Sequence, residues 1–301
     1  LNVIEEGYHK GSGTPHAEVD ALSKLTSVPE GSTAVVTLEP CNHTGRTGPC
    51  AQALIAAGIS RVVYATKDPG NESANGAQTL KDAGVEVIFG VLEDEAKEQG
   101  RIWLTAMQKQ RPFITLKWAQ TLDGRSAASD KTSKWITGSV AREDVHLRRS
   151  QLDAILVGTN TVITDDPHLI PRGEFSGYTH NPIRVIFGES ELPADSKVFD
   201  NSAETIQIKS RDLKNLVAKL NELNINQVFV EAGSALASAM LSVGLLDELV
   251  IYQAPALLGS GKSFFADGSN LTIEDQMRLE HISTEVLAGD VKSVYRIGVG
   301  V

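Results

Sequence analysis

His16-Ala17-Glu18, followed by Glu39-Pro40-Cys41 and then by Cys50, is the part of the sequence from which the first half of the chain can be read. One imidazole and two thiolates are the donor set of a catalytic zinc that leaves its fourth tetrahedral position to water. Glu18 stands two residues from His16, close enough to reach such a water without binding the metal. That pairing describes hydrolytic deamination, in which water attacks an amino-bearing ring carbon and the carboxylate moves protons to the departing ammonia. The general signature is H-x-E followed by P-C-x-x-C. Here eight residues separate the cysteines, so the general pattern fits only in part.

Around these residues the sequence alternates between helical and strand patterns. His16 opens an apolar helical stretch (Ala17, Val19, Leu22), and Pro29-Glu30-Gly31 marks a turn. Thr33–Leu38 reads as a buried strand, 42–49 as a loop, and Cys50 starts a helix over Ala51–Ala57 that Gly58 stops. Both ligand segments therefore lie near helix amino ends, where the dipole favours thiolate and carboxylate. A strand over Arg61–Thr66, a helix over Ala77–Ala83, a strand over Val85–Phe89 and one charged helix over Leu92–Lys109 complete the layer. Leu1–Glu6 reads as the tail of a strand already under way, with an expected further segment ahead of it.

Other readings of the same residues exist. His16 alone fits an ordinary histidine, Cys41 and Cys50 alone fit a disulfide, and a structural zinc could close on His43 as a fourth ligand. The histidine, glutamate, proline and cysteines in this order favour the open catalytic site. His43, two residues after Cys41, is better placed to face a substrate.

At 301 residues the chain has length for two domains, and 41% hydrophobic with 22% charged residues can bury a core in each. A net charge of −10 argues against a nucleic-acid surface and for a small free substrate. No apolar run approaches the roughly 18 residues of a membrane helix, and no signal peptide is visible. The expected compartment is the cytoplasm, where thiols stay reduced.

Arg111-Pro112 ends the charged helix and a strand starts at Phe113, which places the boundary between domains 1–110 and 111–301. Strands over Phe113–Trp118, Ala154–Val157, Ile183–Phe187, Thr205–Ile208, Gln227–Val230 and Glu248–Tyr252 are interspersed with helices over Ser139–Arg149, Arg211–Leu223 and Ser234–Val243. This pattern predicts a mostly parallel sheet covered on both faces. Gly259-Ser-Gly-Lys262-Ser263 ends like a phosphate loop, but a Walker A motif needs glycine where Ala256 stands. No G-x-G-x-x-G follows a predicted strand, so a Rossmann site is absent too. Glu231-Ala-Gly233-Ser234, at a strand end and helix start, offers backbone amides to a phosphate.

The run from His16 to Leu22, and the run from Thr37 through Cys50, resemble the deaminase half of the RibD/RibG family of bifunctional riboflavin-biosynthesis deaminase–reductases. The long cysteine spacing is characteristic of that family. Three stretches resemble its reductase half: Thr115–Ala119 with Leu122-Asp-Gly-Arg125, Ser133–Thr137, and Gly158–Pro167. The resemblance implies an N-terminal cytidine-deaminase-like α/β/α domain and a C-terminal dihydrofolate-reductase-like α/β domain.

It also implies one zinc on His16, Cys41 and Cys50, with Glu18 as the proton shuttle, and His9, His43 and Arg46 against the pyrimidine and its ribose phosphate. In the second half it implies NADPH held by Ala119, Trp135, Thr161, Asp165, Gly233 and Ser234. The reductase substrate falls on Lys117, Ser133, Arg149, Leu169, Arg172 and Glu231, with Lys117 polarising a reacting sugar oxygen. Physical chemistry agrees in kind, since guanidinium forks suit a phosphate. Asp20 and Gly48 stand where the family has histidine and proline, and the family's helix and strand ahead of this point, including an asparagine that holds the substrate base, have no counterpart here. The implied partners are small pyrimidine ribose phosphates and further copies of the chain in a homo-oligomer, with no nucleic acid and no membrane. Two rivals remain: a zinc nucleoside or tRNA-base deaminase with a non-redox C-terminal domain, and a zinc-stapled binding module.

Overall fold

The computed structural model describes residues 2–11, 13–45, 47–70, 73, 75–175, 181–264 and 272–298. The chain divides into two units, Leu1–Gln110 and Arg111–Val301.

The first unit runs α1 (Ala17–Ser23), β1 (Thr33–Leu38), α2 (Cys50–Ala56), β2 (Arg61–Thr66), α3 (Gly76–Asp82), β3 (Glu86–Phe89), α4 (Glu93–Gln99) and α5 (Arg101–Lys109). Its three strands are parallel in the order β1-β2-β3, with Val35 opposite Val63 and Val63 opposite Ile88. β-Branched residues suit this pleated layer. Val62 of the central strand packs with Ala51 and Leu54 of α2 and with Leu80 of α3. Gly76 is required where α3 begins: a Cβ there would lie 1.7 Å from the Pro40 carbonyl oxygen. That close approach lets the Ala77 N–H donate to the buried Glu39 carboxylate at 3.0 Å, which ties α3 to the segment carrying Cys41.

Two expectations are corrected in this unit. Residues 2–10 form no strand. Their polar groups are met by side chains instead: Lys24 Nζ donates to the Glu6 carbonyl at 2.6 Å, and the Tyr8 N–H donates to Asp20 at 3.4 Å. Gly7 packs so tightly on α1 that a Cβ would meet the Ala17 carbonyl oxygen at 2.1 Å. The charged stretch 92–109 is two helices rather than one. Gly100, at φ −89° and ψ 4°, leaves helical geometry between α4 and α5, as glycine does at least steric cost.

The second unit contains β4 (Phe113–Thr121), β5 (Arg125–Ala127), α6 (Ser139–Arg149), β6 (Ala154–Gly158), α7 (Thr159–Asp165), β7 (Ile183–Phe187), β8 (Thr205–Ile208), α8 (Leu213–Glu222), β9 (Gln227–Val230), α9 (Ser234–Ser242), β10 (Glu248–Ala254), β11 (Lys262–Ser263), β12 (Glu280–Leu287) and β13 (Asp290–Arg296). Eight strands form one sheet in the order β12-β13-β10-β4-β9-β6-β7-β8. From β10 to β8 every pairing is parallel, while β12, β13 and β10 are antiparallel. β5 and β11 pair separately.

Both faces are covered, as period-2 alternation in β6 shows. Ala154 and Leu156 join Leu216 and Leu220 of α8 and Met240 of α9, whereas Ile155 and Val157 join Val162 of α7 on the opposite face. Asp247 anchors the start of the sheet, accepting bonds from Arg111 at 2.7 and 3.0 Å and from the Ile114 N–H at 2.9 Å. Among the described residues, no helix is long and apolar enough to cross a membrane.

Candidate functional site

The first centre lies at the helix starts of residues 1–110. His16 immediately precedes α1, Cys41 follows β1 by three residues, and Cys50 is the first residue of α2. His16 Nδ1 lies 3.3 Å from Cys50 Sγ and 3.5 Å from Cys41 Sγ, and the three donor atoms all fall within 4.8 Å of one another. Tetrahedral zinc with bonds of about 2.0–2.3 Å separates its ligands by about 3.5–3.8 Å, so this donor set fits the ion. Both cysteines are buried free thiols, not a disulfide.

The two sulfurs share their environment unequally. A hydrogen bond from Cys50 holds the Cys41 thiol down to about 5, and the same contact, with burial, pushes Cys50 up. The Cys50 N–H also donates to Cys41 Sγ at 3.3 Å. Thr47 Oγ1 sits 3.2 Å from His16 Nε2 and fixes the ring from the side away from the sulfurs, the outer support that metal-ligating imidazoles commonly have. Burial pushes the Glu18 carboxyl above the usual range, with Cys50 and His16 pulling it the other way.

A cavity of about 250 Å³ opens beside these donors, lined in part by His9, Thr14, His16, His43 and Thr47. His9 stacks edge-on against His16 with ring centroids 5.3 Å apart, its Nδ1 bonded to the Pro15 carbonyl at 3.0 Å. His43 lies outside the metal-ligating group, and its Nδ1 is enclosed without a partner among the described residues. Arg46 lies outside the described residues. Asp20 is buried and pairs with Lys24 at 2.9 Å, so it serves the fold of the leading segment.

The second centre follows from strand order. β4 and β9 are neighbours with Leu116 opposite Val230, which brings the next residues, Lys117 and Glu231, together at the carboxyl end of β9. Ligands of parallel sheets bind at that end. Arg149, the last residue of α6, places Nε 2.6 Å from Glu231 Oε1, and Lys117 Nζ lies 3.6 Å from Oε2. Burial works to raise the Glu231 carboxyl, but Arg149 and Lys117 outweigh it and hold the group at about 2. Burial, aided by Arg149, lowers the Lys117 ammonium against the pull of Glu231.

Gly233 precedes α9, and among the described residues no atom beyond its chain neighbours lies within 4 Å of the position its Cβ would take. With Ser234 opening the helix, the N-cap residue offers no side chain to the first backbone amides, a fit for a nucleotide phosphate. Trp135 is 71% exposed under the Arg142 guanidinium, 4.6 Å from its ring, so it is a surface platform and no part of the core. Asp165 accepts from neighbouring Lys134 through its carbonyl at 3.1 Å. Ala119 packs on the Ala141–Val145 cluster. Among the described residues, no hydrogen bond joins Ser133 or Thr161 to the Lys117–Arg149–Glu231 group.

Leu169 is buried in the α7 cluster at φ +51°, so only its backbone can meet a substrate. Arg172 is exposed three residues further on. Sequence reading missed Thr47 and His146. His146 lies three residues before Arg149 on α6, a spacing that marks one helix face; Thr47 carries no such signal.

These two centres define a zinc-dependent deaminase domain joined to a nucleotide-dependent reductase domain. Residues 2–66 match the cytidine and deoxycytidylate deaminase zinc-binding region, and residues 112–293 match the RibD C-terminal domain. The chain belongs to the RibD family. It is 39% identical over 313 residues to the riboflavin biosynthesis protein RibD of Aquifex aeolicus, covering 96% of this chain and 87% of the relative. It is 40% identical over 292 residues to RibD of Escherichia coli, covering 86% and 80%.

Acinetobacter baumannii RibD superposes with a TM-score of 0.89 at 39% identity, over 98% of this chain and 89% of that one. The diaminohydroxyphosphoribosylaminopyrimidine deaminase/5-amino-6-(5-phosphoribosylamino)uracil reductase of Thermotoga maritima does so at 0.85 and 32%, with the same coverage. The protein is thus a bifunctional hydrolase and oxidoreductase of riboflavin biosynthesis that uses zinc and NADPH. Its reductase half sets aside both the nucleoside or tRNA deaminase and the zinc-stapled module.

Proposed function

We propose that residues 1–110 deaminate 2,5-diamino-6-ribosylamino-4(3H)-pyrimidinone 5′-phosphate and that residues 111–301 then reduce the ribosyl group of 5-amino-6-(5-phosphoribosylamino)uracil to ribityl. The observation that carries the reading is Glu18 against the donor set of half-buried His16 and the free, buried thiols Cys41 and Cys50. Held by those three residues, zinc would supply a water acidified enough to attack at neutral pH. Glu18, its carboxyl raised by burial, takes a proton and returns it to the departing amine. His9 and His43 face the pyrimidine from the cavity wall, and Arg46 is assigned to the ribose phosphate.

In the reductase, NADPH would supply the hydride. Ala119, Trp135, Thr161, Asp165, Gly233 and Ser234 hold it, the last two through the amino end of α9. Arg149 and Arg172 neutralise the substrate phosphate, Glu231 orients a hydroxyl, and Lys117 donates to the reacting sugar oxygen. Ser133 and the Leu169 backbone complete the contacts. The net charge of −10 supports small free substrates over nucleic acid, and we place the enzyme in the cytoplasm, free of membrane, as a homo-oligomer.

A paired assay tests the reading. With the diaminopyrimidine ribosylamine phosphate and NADPH supplied together, ammonia release and loss of nicotinamide absorbance should both proceed. Ammonia without NADPH consumption would overturn the reductase assignment, and NADPH consumption only from the deaminated intermediate would overturn the deaminase one.

A further inference from the structure

Residues 166–170 lead from the end of α7 to the reductase centre, and both ends of that run are fixed by atoms outside it. Asp166 closes α7 in the left-handed region, at φ +41°, and Leu169 turns left-handed again at φ +51°. Neither is glycine, and other residues keep such a conformation only where their surroundings hold it.

The near end is held by residues 197–200. Asp166 Oδ1 accepts from the Lys197 N–H at 2.8 Å, and Oδ2 lies 2.9 Å from Lys197 Nζ. His168 Nδ1 lies 3.3 Å from Asp200 Oδ2, and Asp200 Oδ1 accepts from the fully buried Arg184 at 2.7 Å. Leu169 packs in the cluster that contains Val198. The lysine and histidine pairs are exposed on both partners, and pairs of that kind contribute little. The bond from the Lys197 N–H is different in kind, since it joins a carboxylate to a backbone donor. That donor opens the short 3-10 turn Lys197–Phe199, whose Val198 is buried, so the core fixes it.

At the far end the Ile170 carbonyl accepts from Arg149 Nη1 at 3.3 Å, while Arg149 Nε lies 2.6 Å from Glu231 Oε1. The guanidinium thus rests against two acceptors from separate segments. One is the sheet residue Glu231. The other is carried by the run that Asp166 begins.

We propose that Asp166 is a positioning residue of the reductase: by fastening residues 166–169 to Lys197 it places the Ile170 carbonyl, which together with Glu231 aims the Arg149 guanidinium at an anionic substrate group. The inference rests on the reading that Arg149 receives the substrate phosphate.

The test compares Asp166→Gly with Asp166→Asn in the full-length, zinc-loaded enzyme, using NADPH and the deaminated ribosylaminouracil phosphate. Glycine takes the left-handed conformation without strain but has no acceptor, so the KM for the sugar phosphate should rise by about 5-fold or more. The KM for NADPH, and kcat, should stay within about 2-fold of wild type, because neighbouring Asp165 has its own tie to Lys134. Asparagine keeps an acceptor and tolerates the left-handed backbone, and should return the KM to within about 2-fold of wild type. Lys197→Pro removes the donor from the other partner, in a 3-10 turn whose φ proline shares. It should reproduce the glycine KM, and it carries the test if D166G does not fold.

An unshifted KM in D166G, or an asparagine variant as impaired as glycine, overturns the proposal. So does an equal rise in the KM for NADPH. A merely destabilised enzyme would lose kcat through its inactive fraction and keep its KM, and that result overturns it too. Arg149→Ala in the same assay separates the two layers. An unshifted KM there refutes the phosphate reading itself; a shifted KM there with an unshifted D166G refutes only the fastening.

Discussion

Arg149 and Glu231 meet at 2.6 Å, Nε to Oε1, across 82 residues of sequence, and each side chain is only 12% exposed. Lys117 stands 3.6 Å from the other carboxylate oxygen. Both faces of the carboxylate are therefore taken by cations, one from a helix end and one from the neighbouring strand. Such a group is preorganised: the anion of the protein holds two cations in place where the proposed substrate hydroxyl and phosphate would share them.

Removing the guanidinium should separate the two ligands of this centre. Arg149→Ala is expected to raise the KM for the ribosylaminouracil phosphate by about 10–100-fold, with a smaller change in the KM for NADPH, whose proposed contacts at Gly233 and Ser234 lie on another element. Steady-state kinetics with each ligand varied in turn checks this. A larger effect on NADPH would move Arg149 into the cofactor site.

Acid should weaken the second unit in two stages. Glu231 drops from an ordinary 4.5 to about 2 in the folded chain. Its stabilisation is complete above pH 4.5 and is lost as pH falls towards 2, because the unfolded chain takes up the proton first. His146 drops from 6.5 to about 4. The unfolded chain protonates it below pH 6.5 while the folded ring stays neutral, so instability accumulates between pH 6.5 and 4. Urea unfolding as a function of pH should show a flatter slope for Glu231→Gln in the lower window and for His146→Gln in the upper one. Slopes matching wild type in both windows would refute these two assignments.

How far the fold could be read from sequence depended on how locally each element is determined. β1, β2, β7 and β9 are short apolar runs rich in β-branched residues, and Gly58 stops α2 at φ +74°, so their bounds follow from composition. α7 went unread because Thr-Asn-Thr-Val-Ile-Thr-Asp is a poor helix former; it is held by tertiary packing of Val162. β12, an edge strand exposed at most positions, shows no apolar alternation, and β13 went unread beside it. The zinc donors were legible because their chemistry is local to short motifs. Thr47 was not, because it acquires its role only when a distant atom, His16 Nε2, folds against it.

The support that Thr47 gives His16 is measurable apart from turnover. Thr47→Val should lower zinc affinity by about 10-fold, read by competition with a chromophoric chelator. Cys50→Ser should lose the ion far more readily. In both variants NADPH oxidation with the deaminated intermediate should continue, since every zinc donor lies within residues 1–110. Unchanged zinc affinity in the valine variant would make the 3.2 Å contact incidental.

Glu18→Gln isolates proton transfer from metal binding. The amide keeps the shape of the side chain but cannot accept and return a proton, and His16, Cys41 and Cys50 remain to hold zinc. Ammonia release should fall by about 100-fold or more, while zinc content and NADPH oxidation of the pre-deaminated intermediate stay at wild-type levels. Zinc by atomic absorption, ammonia by a coupled assay and nicotinamide absorbance give the three readouts on one preparation. A variant that still deaminates at the wild-type rate would remove Glu18 from the chemistry. Loss of zinc together with activity would instead make it a support of the metal site.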